Sequence, residues 1–186
     1  MISSSKQDTY YSLLYKVNLC EICYYYNAMF RKGEKVVYPK HGAGKIISIY
    51  REKIEGKPKC YLRIKFFNSP ATVSVPVEGA KRLGLRYPLS RVALKEALGN
   101  LNKKVKIGKD TLVTLDKISR EKLNSGRIDD VIDLVNILRS LAKKKEEENK
   151  NFSYSYSDRL DIALDFIKSE AGLVLGKGVL KKYNLF

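Results

Sequence analysis

The sequence predicts an α+β protein of two domains, in which a small β-barrel precedes a compact bundle of four or five short α-helices. Apolar and polar residues alternate in short runs along the first half of the chain. Near Ser90 the apolar spacing lengthens to about 3.6 residues, which is typical of amphipathic helices. A length of 186 residues is sufficient for two small domains of this kind.

The same patterns predict the domain boundaries. We expect the barrel at residues 29–89, the helical domain at residues 90–180 and a tail at residues 181–186. Residues 1–28 form a separate extension, because they hold six of the thirteen tyrosines, two of the three cysteines and no glycine or proline. Either the native protein starts at Met29, or the extension is a poorly ordered tail. The mass of the native N-terminal peptide would distinguish the two.

Four or five short strands are predicted in the first domain, and four of them have a clear pattern. These four cover residues 36–38, 45–52, 60–67 and 72–77. Pro39 and the glycines Gly42 and Gly44 predict a sharp turn after the first strand, and Gly56 predicts a turn at residues 55–58. Short strands joined by tight turns are typical of an SH3-like or Tudor-like barrel. The strands show no cluster of exposed aromatic residues on which nucleic-acid bases would stack.

Helical patterns begin after the barrel. Ser90 is a suitable N-cap for the first helix. A basic connector follows at residues 102–110, and a second helix is expected from about Thr114 to the stop at Gly126.

A third and a fourth helix are predicted further along. Asp129 and Asp130 suit the positive end of the third helix dipole, and this helix is expected to end at the charged stretch 143–150. Ser157 and Asp158 are expected to open the fourth helix. The tail beyond it has room for one more short helix that frays.

The net charge of +16 is concentrated in the middle of the chain. Residues 29–90 carry 14 basic and 4 acidic residues, and residues 91–128 carry 10 and 4. Residues 1–28 and 129–186 are each neutral overall. A localised positive charge favours a polyanionic partner, of which nucleic acid is the usual one. The alternative is a lysine-rich composition that only aids solubility.

Catalytic and metal sites are not expected. The sequence has no P-loop, GxSxG or HExxH motif, and we expect its single histidine, His41, to be a turn residue. Cys20 and Cys23 form a lone CxxC motif that lacks two further zinc ligands. Cys60 is expected to be a small buried side chain with a free thiol. We therefore predict a protein that is not an enzyme and has no cofactor and no metal.

Several motifs resemble the CarD/CdnL family of bacterial transcription regulators. The matching pieces, in order, are residues 33–39, 41–42, 54–56, 61–62, 73–77 and 84–86. The resemblance extends over nearly everything except the first 28 residues. It implies that the barrel is the RNA-polymerase-interaction domain also found in the transcription-repair coupling factor, and that it binds the polymerase β subunit. It further implies that the helical domain binds double-stranded promoter DNA at the upstream edge of the bubble and stabilises the open complex.

The resemblance implies docking through a free sheet edge, to which a strand of the partner is added. The candidate polymerase-binding residues are Ile46, Ile47, Ile49, Arg51, Glu52, Lys53 and Ser74. Glu52 and Ser74 stand where other members carry arginine, so salt bridges at these two positions are not expected to be those of the family. Val73, Val75 and Val77 are better interpreted as core residues.

The family inserts a tryptophan into the minor groove, whereas this chain has no tryptophan. The corresponding position falls near Leu112. Leucine can also act as an apolar wedge, and the alternative is a core leucine before the second helix. Candidate phosphate contacts are Lys103, Lys104, Lys106, Lys109, Lys117, Arg120 and Arg127. Such contacts position a protein on DNA without reading its sequence, and the alternative is that about half of these residues are merely solvated.

The sequence thus predicts a CarD-like transcription regulator that bridges the polymerase β subunit and promoter DNA. We expect a monomer with no membrane segment, located in the cytoplasm and associated with the nucleoid through the polymerase. The alternative is a polymerase- or RNA-associated adaptor whose helices do not contact DNA. The missing tryptophan and the neutral last third of the chain favour that alternative.

Overall fold

The computed structural model describes residues 30–183 and residue 185. A curled antiparallel sheet of four strands, here called the half-barrel, is followed by helices. This architecture confirms the α+β prediction. The strands are β1 (Lys35–Tyr38), β2 (Gly42–Ile54), β3 (Lys57–Phe66) and β4 (Thr72–Pro76). The helices are α1 (Arg91–Leu98), α2 (Lys109–Ser125), α3 (Ile128–Glu147), α4 (Tyr154–Leu175) and α5 (Gly178–Lys182). The predicted extension, with its CxxC motif, lies outside the described residues.

The sheet is a simple meander in the order β1-β2-β3-β4. Glu55 and Gly56 form the β2–β3 turn with φ angles of 51° and 76°, the two-residue hairpin geometry that matches strand twist. The predicted turn at residues 55–58 is therefore too long, since Lys57 already belongs to β3. Ile47 forms a bulge in β2 that shifts the register with β3 by one residue.

The turn between β1 and β2 corrects one predicted glycine. Lys40 and Gly42 adopt positive φ angles of 64° and 76°, as a sharp turn requires. Gly44 instead lies inside β2, where an added Cβ would be 2.7 Å from the carbonyl oxygen of Lys65. Gly42 is therefore a turn residue as predicted. For Gly44 that prediction is wrong, and close strand packing is the reason for its glycine.

The helices are longer than predicted. Ser90 caps α1 as expected, because its hydroxyl accepts a hydrogen bond from the backbone N–H of Ala93 at 3.2 Å. However, α2 begins at Lys109, α3 continues to Glu147 and α4 begins at Tyr154. The additional turns are largely exposed, so the apolar pattern does not reveal them. None of the described helices is long and apolar enough to cross a membrane.

Two hydrophobic cores meet at β1. Val36 is buried inside the half-barrel, and its neighbour Val37 is buried in the helical core. Successive residues of a strand point to opposite faces, so one strand can serve both cores. Ala43 of β2 joins Val37 on the helical side, where α4 packs against β2. The half-barrel is therefore packed directly against the helices.

A buried ion pair joins the two parts. The guanidinium of Arg86 donates two hydrogen bonds of 2.7 Å to the carboxylate of Glu170, one to each oxygen. Glu170 is 0% exposed and also accepts from the backbone N–H of Leu89 at 2.9 Å. Arg86 donates through Nε to the carbonyl of Gly126 at 2.9 Å, and its backbone pairs with Val37 of β1. One arginine thus contacts β1, the end of α2 and the C-terminal part of α4.

Three glycines near this ion pair make very close contacts with neighbouring side chains. The hydroxyl of Ser169 accepts from the N–H of Ala43 at 2.8 Å, and a Cβ added to Gly42 would lie 2.0 Å from that hydroxyl. The ring of Pro39 packs against two glycines, Gly84 and Gly126, where an added Cβ would lie 2.5 and 2.9 Å from its Cγ. Side chains larger than hydrogen at these glycines would separate the sheet from the helices.

We expect Glu170→Ala to lower the free energy of unfolding by about 3 kcal/mol, because it leaves the Arg86 guanidinium without its partner. Urea denaturation followed by circular dichroism measures this. Glu121→Ala is the matched control, since Glu121 forms only an exposed pair with Lys117 and should cost less than about 0.5 kcal/mol. Equal losses in the two variants would contradict a stabilising role of the buried pair.

Candidate functional site

The sheet has an open edge at β4. This strand pairs with β3 from Pro76 opposite Tyr61 to Thr72 opposite Lys65, and no described strand pairs with its other side. Val77 donates its N–H inward to the carbonyl of Cys60 at 2.9 Å. Since antiparallel strands alternate inward and outward groups, the N–H and C=O of Ser74 point away from β3. Ser74 therefore presents a donor and an acceptor at the edge.

The candidate residues of β2 occupy different environments. Ile46 is fully buried, and its N–H and C=O already pair with the C=O of Glu34 at 3.0 Å and the N–H of Gly33 at 2.8 Å. Ile49 is partly buried against the half-barrel core, so a partner can contact little more than its main chain. Ile47, at the bulge, is 37% exposed. β1 and the residues before it bond to β2 only as far as Ile46, so the candidates from Ile47 onward extend beyond this partner. The remaining candidates on β2 have half-buried or exposed side chains: Arg51, Glu52 and Lys53.

The valines of β4 and the segment after it face the opposite direction from Ser74. Val75 is buried, and Val73 and Val77 pack partly buried against the half-barrel core. The interpretation of these three valines as core residues is confirmed. The edge therefore offers main-chain groups, while its apolar side chains stabilise the half-barrel.

The outer face of the sheet carries a group of side chains that the sequence did not predict. The rings of Tyr50 and Tyr61 stack with centroids 5.7 Å apart, and the guanidinium of Arg63 lies 4.6 Å from the Tyr50 ring centre. The Tyr50 hydroxyl donates to the Ser74 hydroxyl at 2.9 Å. Both rings are half-buried, so the expectation that the strands show no cluster of exposed aromatic residues stands, but strand pairing brings together two tyrosines that are distant in sequence.

Three candidate lysines lie on the connector between α1 and α2. Lys103, Lys104 and Lys106 are all exposed. The connector is held against α3, since the N–H of Val105 donates to the Ser140 hydroxyl at 3.0 Å. The lysines therefore project from an anchored segment.

The other cationic candidates lie on α2 or just after it. Lys109 is the first residue of α2, and its side chain is outside the described part of the structure. Lys117 and Arg120 are exposed on the same helix, and Lys117 approaches Glu121 at 4.0 Å. Arg127 is exposed between α2 and α3 and lies 3.9 Å from Asp130. Two of these cations are thus partly neutralised, whereas Arg120 makes no described ion pair.

Leu112 lies on the first turn of α2 and is 38% exposed. It is neither a core residue nor located before the helix, so that alternative is wrong. Val113, which the sequence analysis missed, is 84% exposed. Its spacing of four residues from Lys117 and seven from Arg120 places these three residues on one face of α2. The start of α2 therefore exposes apolar side chains beside cations.

His41 is a turn residue, as predicted. Its ring stacks on the ring of Phe66 with centroids 4.8 Å apart, and its centroid lies 6.1 Å from that of the Tyr38 ring. Burial, and secondarily the charge of Lys40, lower the pKa of His41 below its ordinary value of 6.5. Both effects disfavour the imidazolium, so the neutral ring predominates at pH 7.

Because His41 is the only histidine, its imidazole proton resonances can be followed without overlap in a proton NMR titration. We expect a midpoint below 6.5, and an upward shift in Lys40→Gln, which removes the second of the two causes. Protonation is disfavoured in the folded state, so stability should decrease as the pH falls through 6.5. A midpoint at or above 6.5 would contradict the partly buried stacked position of this ring.

Cys60 is a correction to the sequence analysis. It is half-buried in β3 and disulfide-bonded, instead of being a buried free thiol. Cys60 lies toward the hairpin end of β3, where the side chains are less buried than in the rest of the strand. Within the described residues, no group of three or more His, Cys, Asp or Glu side chains is placed to hold a metal ion.

Residues 30–89 match the family model of the CarD-like/TRCF RID domain. The chain carries a CarD-like RID domain. This RID domain comprises the half-barrel and continues through Arg86 to the residue before the α1 cap. The recognition made from the order of its motifs is therefore confirmed.

A curated relative is similar over most of the chain. It is "Putative transcription factor YdeB" of Bacillus subtilis (strain 168), which is 29% identical over 157 residues. The aligned region covers 83% of this chain and 96% of the relative. The similarity therefore extends from the RID domain into the helical domain.

Proposed function

We propose that this protein is a CarD-like transcription regulator that binds the RNA polymerase β subunit through its RID domain. The observation that carries this proposal is the RID domain itself, with an unpaired edge at β4. A strand of the partner that pairs with Thr72–Pro76 would satisfy the outward main-chain groups of Ser74. The similarity to a protein named as a transcription factor supports the same role.

The helical domain would bind promoter DNA and stabilise the open complex. The connector lysines and α2 provide cations for phosphates, and Leu112 and Val113 provide exposed apolar bulk for the minor groove. The Arg86–Glu170 pair would hold these groups at a fixed position relative to the docked RID domain. A modest effect is sufficient, because about 1.4 kcal/mol changes the ratio of closed to open complexes tenfold.

Docking through the β4 edge predicts that main-chain groups matter more than the Ser74 side chain. Ser74→Pro removes an outward N–H that the sheet does not use, so the domain should still fold but should no longer co-purify with RNA polymerase. Ser74→Ala keeps the N–H and is the matched control; it should co-purify normally. Loss of polymerase in both variants, or in neither, would refute pairing at this edge.

The DNA-binding role predicts two separable effects. Replacing Lys103, Lys104 and Lys106 by glutamine should make duplex binding less sensitive to salt. The slope of log affinity against log salt concentration should decrease in magnitude by up to about 3. Leu112→Ala should leave that slope unchanged and shorten the lifetime of open promoter complexes several-fold. Filter binding at several salt concentrations and promoter-complex lifetimes measure the two effects.

Val92→Ala removes an exposed aliphatic side chain from α1 and is the control for Leu112→Ala. Both sets of variants should retain polymerase binding. Unchanged lifetimes together with an unchanged salt slope would favour the alternative role of an adaptor without DNA contact. The neutral C-terminal third and the absence of tryptophan are the observations that favour that alternative.

A further inference from the structure

The outer face of the sheet formed by β2, β3 and β4 is strongly cationic. Side chains alternate along each strand, and the ones between the inward-pointing core residues form this outer face. The basic members are Lys45, Lys57, Lys59, Arg63 and Lys65. Glu52, which pairs with Lys59, is the acidic member. This face therefore has its own charge excess, separate from the cations of the connector and α2.

Two aromatic rings lie in the middle of this face. Tyr50 and Tyr61 are directly opposite in the β2–β3 register, and neither ring belongs to either hydrophobic core. Their planes are inclined by 23°, the Arg63 guanidinium lies over the Tyr50 ring, and the Ser74 hydroxyl accepts a hydrogen bond from the Tyr50 hydroxyl. The rings are thus fixed in place while remaining half-exposed. Fixed aromatic rings beside an arginine are suited to stacking with flat ligands.

We propose that this face, here called the tyrosine platform (Tyr50, Tyr61 and Arg63 with the surrounding lysines), binds single-stranded RNA. Unpaired bases would stack on the rings and on the guanidinium, and the lysines would contact the phosphates. Lys45 and Lys57 mark the two ends of the face and are separated by roughly 30 Å of extended strand, enough for several nucleotides. A duplex cannot use the platform in this way, because its bases are stacked inside.

Hydroxyl groups beside the rings favour RNA over single-stranded DNA. Ser48 on β2 and Thr72 and Ser74 on β4 share the outer face with the tyrosines. These groups can donate to and accept from a ribose 2′-hydroxyl, which DNA lacks. The platform uses side chains, whereas the proposed polymerase contact uses the main chain of β4. The two surfaces adjoin at Ser74, so the RNA would lie next to the bound partner.

The experiment measures fluorescence anisotropy of the full chain with a labelled single-stranded RNA of about ten nucleotides. The same sequence is also tested as single-stranded DNA and as duplex DNA. Tyr61→Leu should weaken RNA binding about tenfold or more, because it removes a stacking ring. Tyr61→Phe keeps the ring and should bind like the unaltered protein. Tyr154→Leu, which removes a tyrosine on α4 that is 86% exposed, is the surface control and should also bind normally.

The helical surface provides the opposite control. Replacing Lys103, Lys104 and Lys106 by glutamine should weaken duplex binding and leave RNA binding intact, whereas Tyr61→Leu should do the reverse. The proposal is overturned if Tyr61→Leu, shown to be folded by circular dichroism, binds RNA normally. It is also overturned if single-stranded DNA binds as tightly as RNA. Loss of polymerase co-purification in Tyr61→Leu without any RNA binding by the unaltered protein would assign the platform to a protein partner instead.

Discussion

The relation between the half-barrel and the helices depends on one buried ion pair. A carboxylate as deeply buried as that of Glu170 is unstable unless hydrogen-bond donors surround it, and Arg86 and the N–H of Leu89 provide three. Arg86 is fixed in turn by its backbone pairing with β1 and by the carbonyl at the end of α2. Relative movement of the two parts would break all of these bonds together. The sheet edge and the basic surface are therefore parts of one frame.

Features that depend on a few neighbouring residues could be predicted from the sequence, whereas contacts between distant residues could not. Ser90 and Gly126 were predicted correctly because capping depends on a few neighbouring residues. The start of α2 at Lys109 was missed, since exposed helical turns leave no apolar period. The Arg86–Glu170 pair was also missed, because a spacing of 84 residues has no local signature.

The tyrosine platform could not be predicted from strict strand alternation because of one bulged residue, Ile47. Before the bulge, Ile46 points into the core; after it, Ile49 does, so the inward parity changes at Ile47. Strict alternation would place Tyr50 on the same side as Ile46. The bulge turns it outward instead, opposite Tyr61. The sequence shows one stretch of excess positive charge, and the fold distributes these residues over two surfaces, the outer face of the sheet and the helical surface.

The contact between Gly42 and Ser169 restricts how this fold can diversify. The hydroxyl that binds the N–H of Ala43 occupies the space that a side chain at position 42 would need. A larger residue at position 42 is tolerable only if position 169 has already become smaller and the Ala43 N–H has found another acceptor. Substitutions at these two sites should consequently arise as linked changes among descendants of this protein, although one site lies in the sheet and the other in α4, far apart in the sequence.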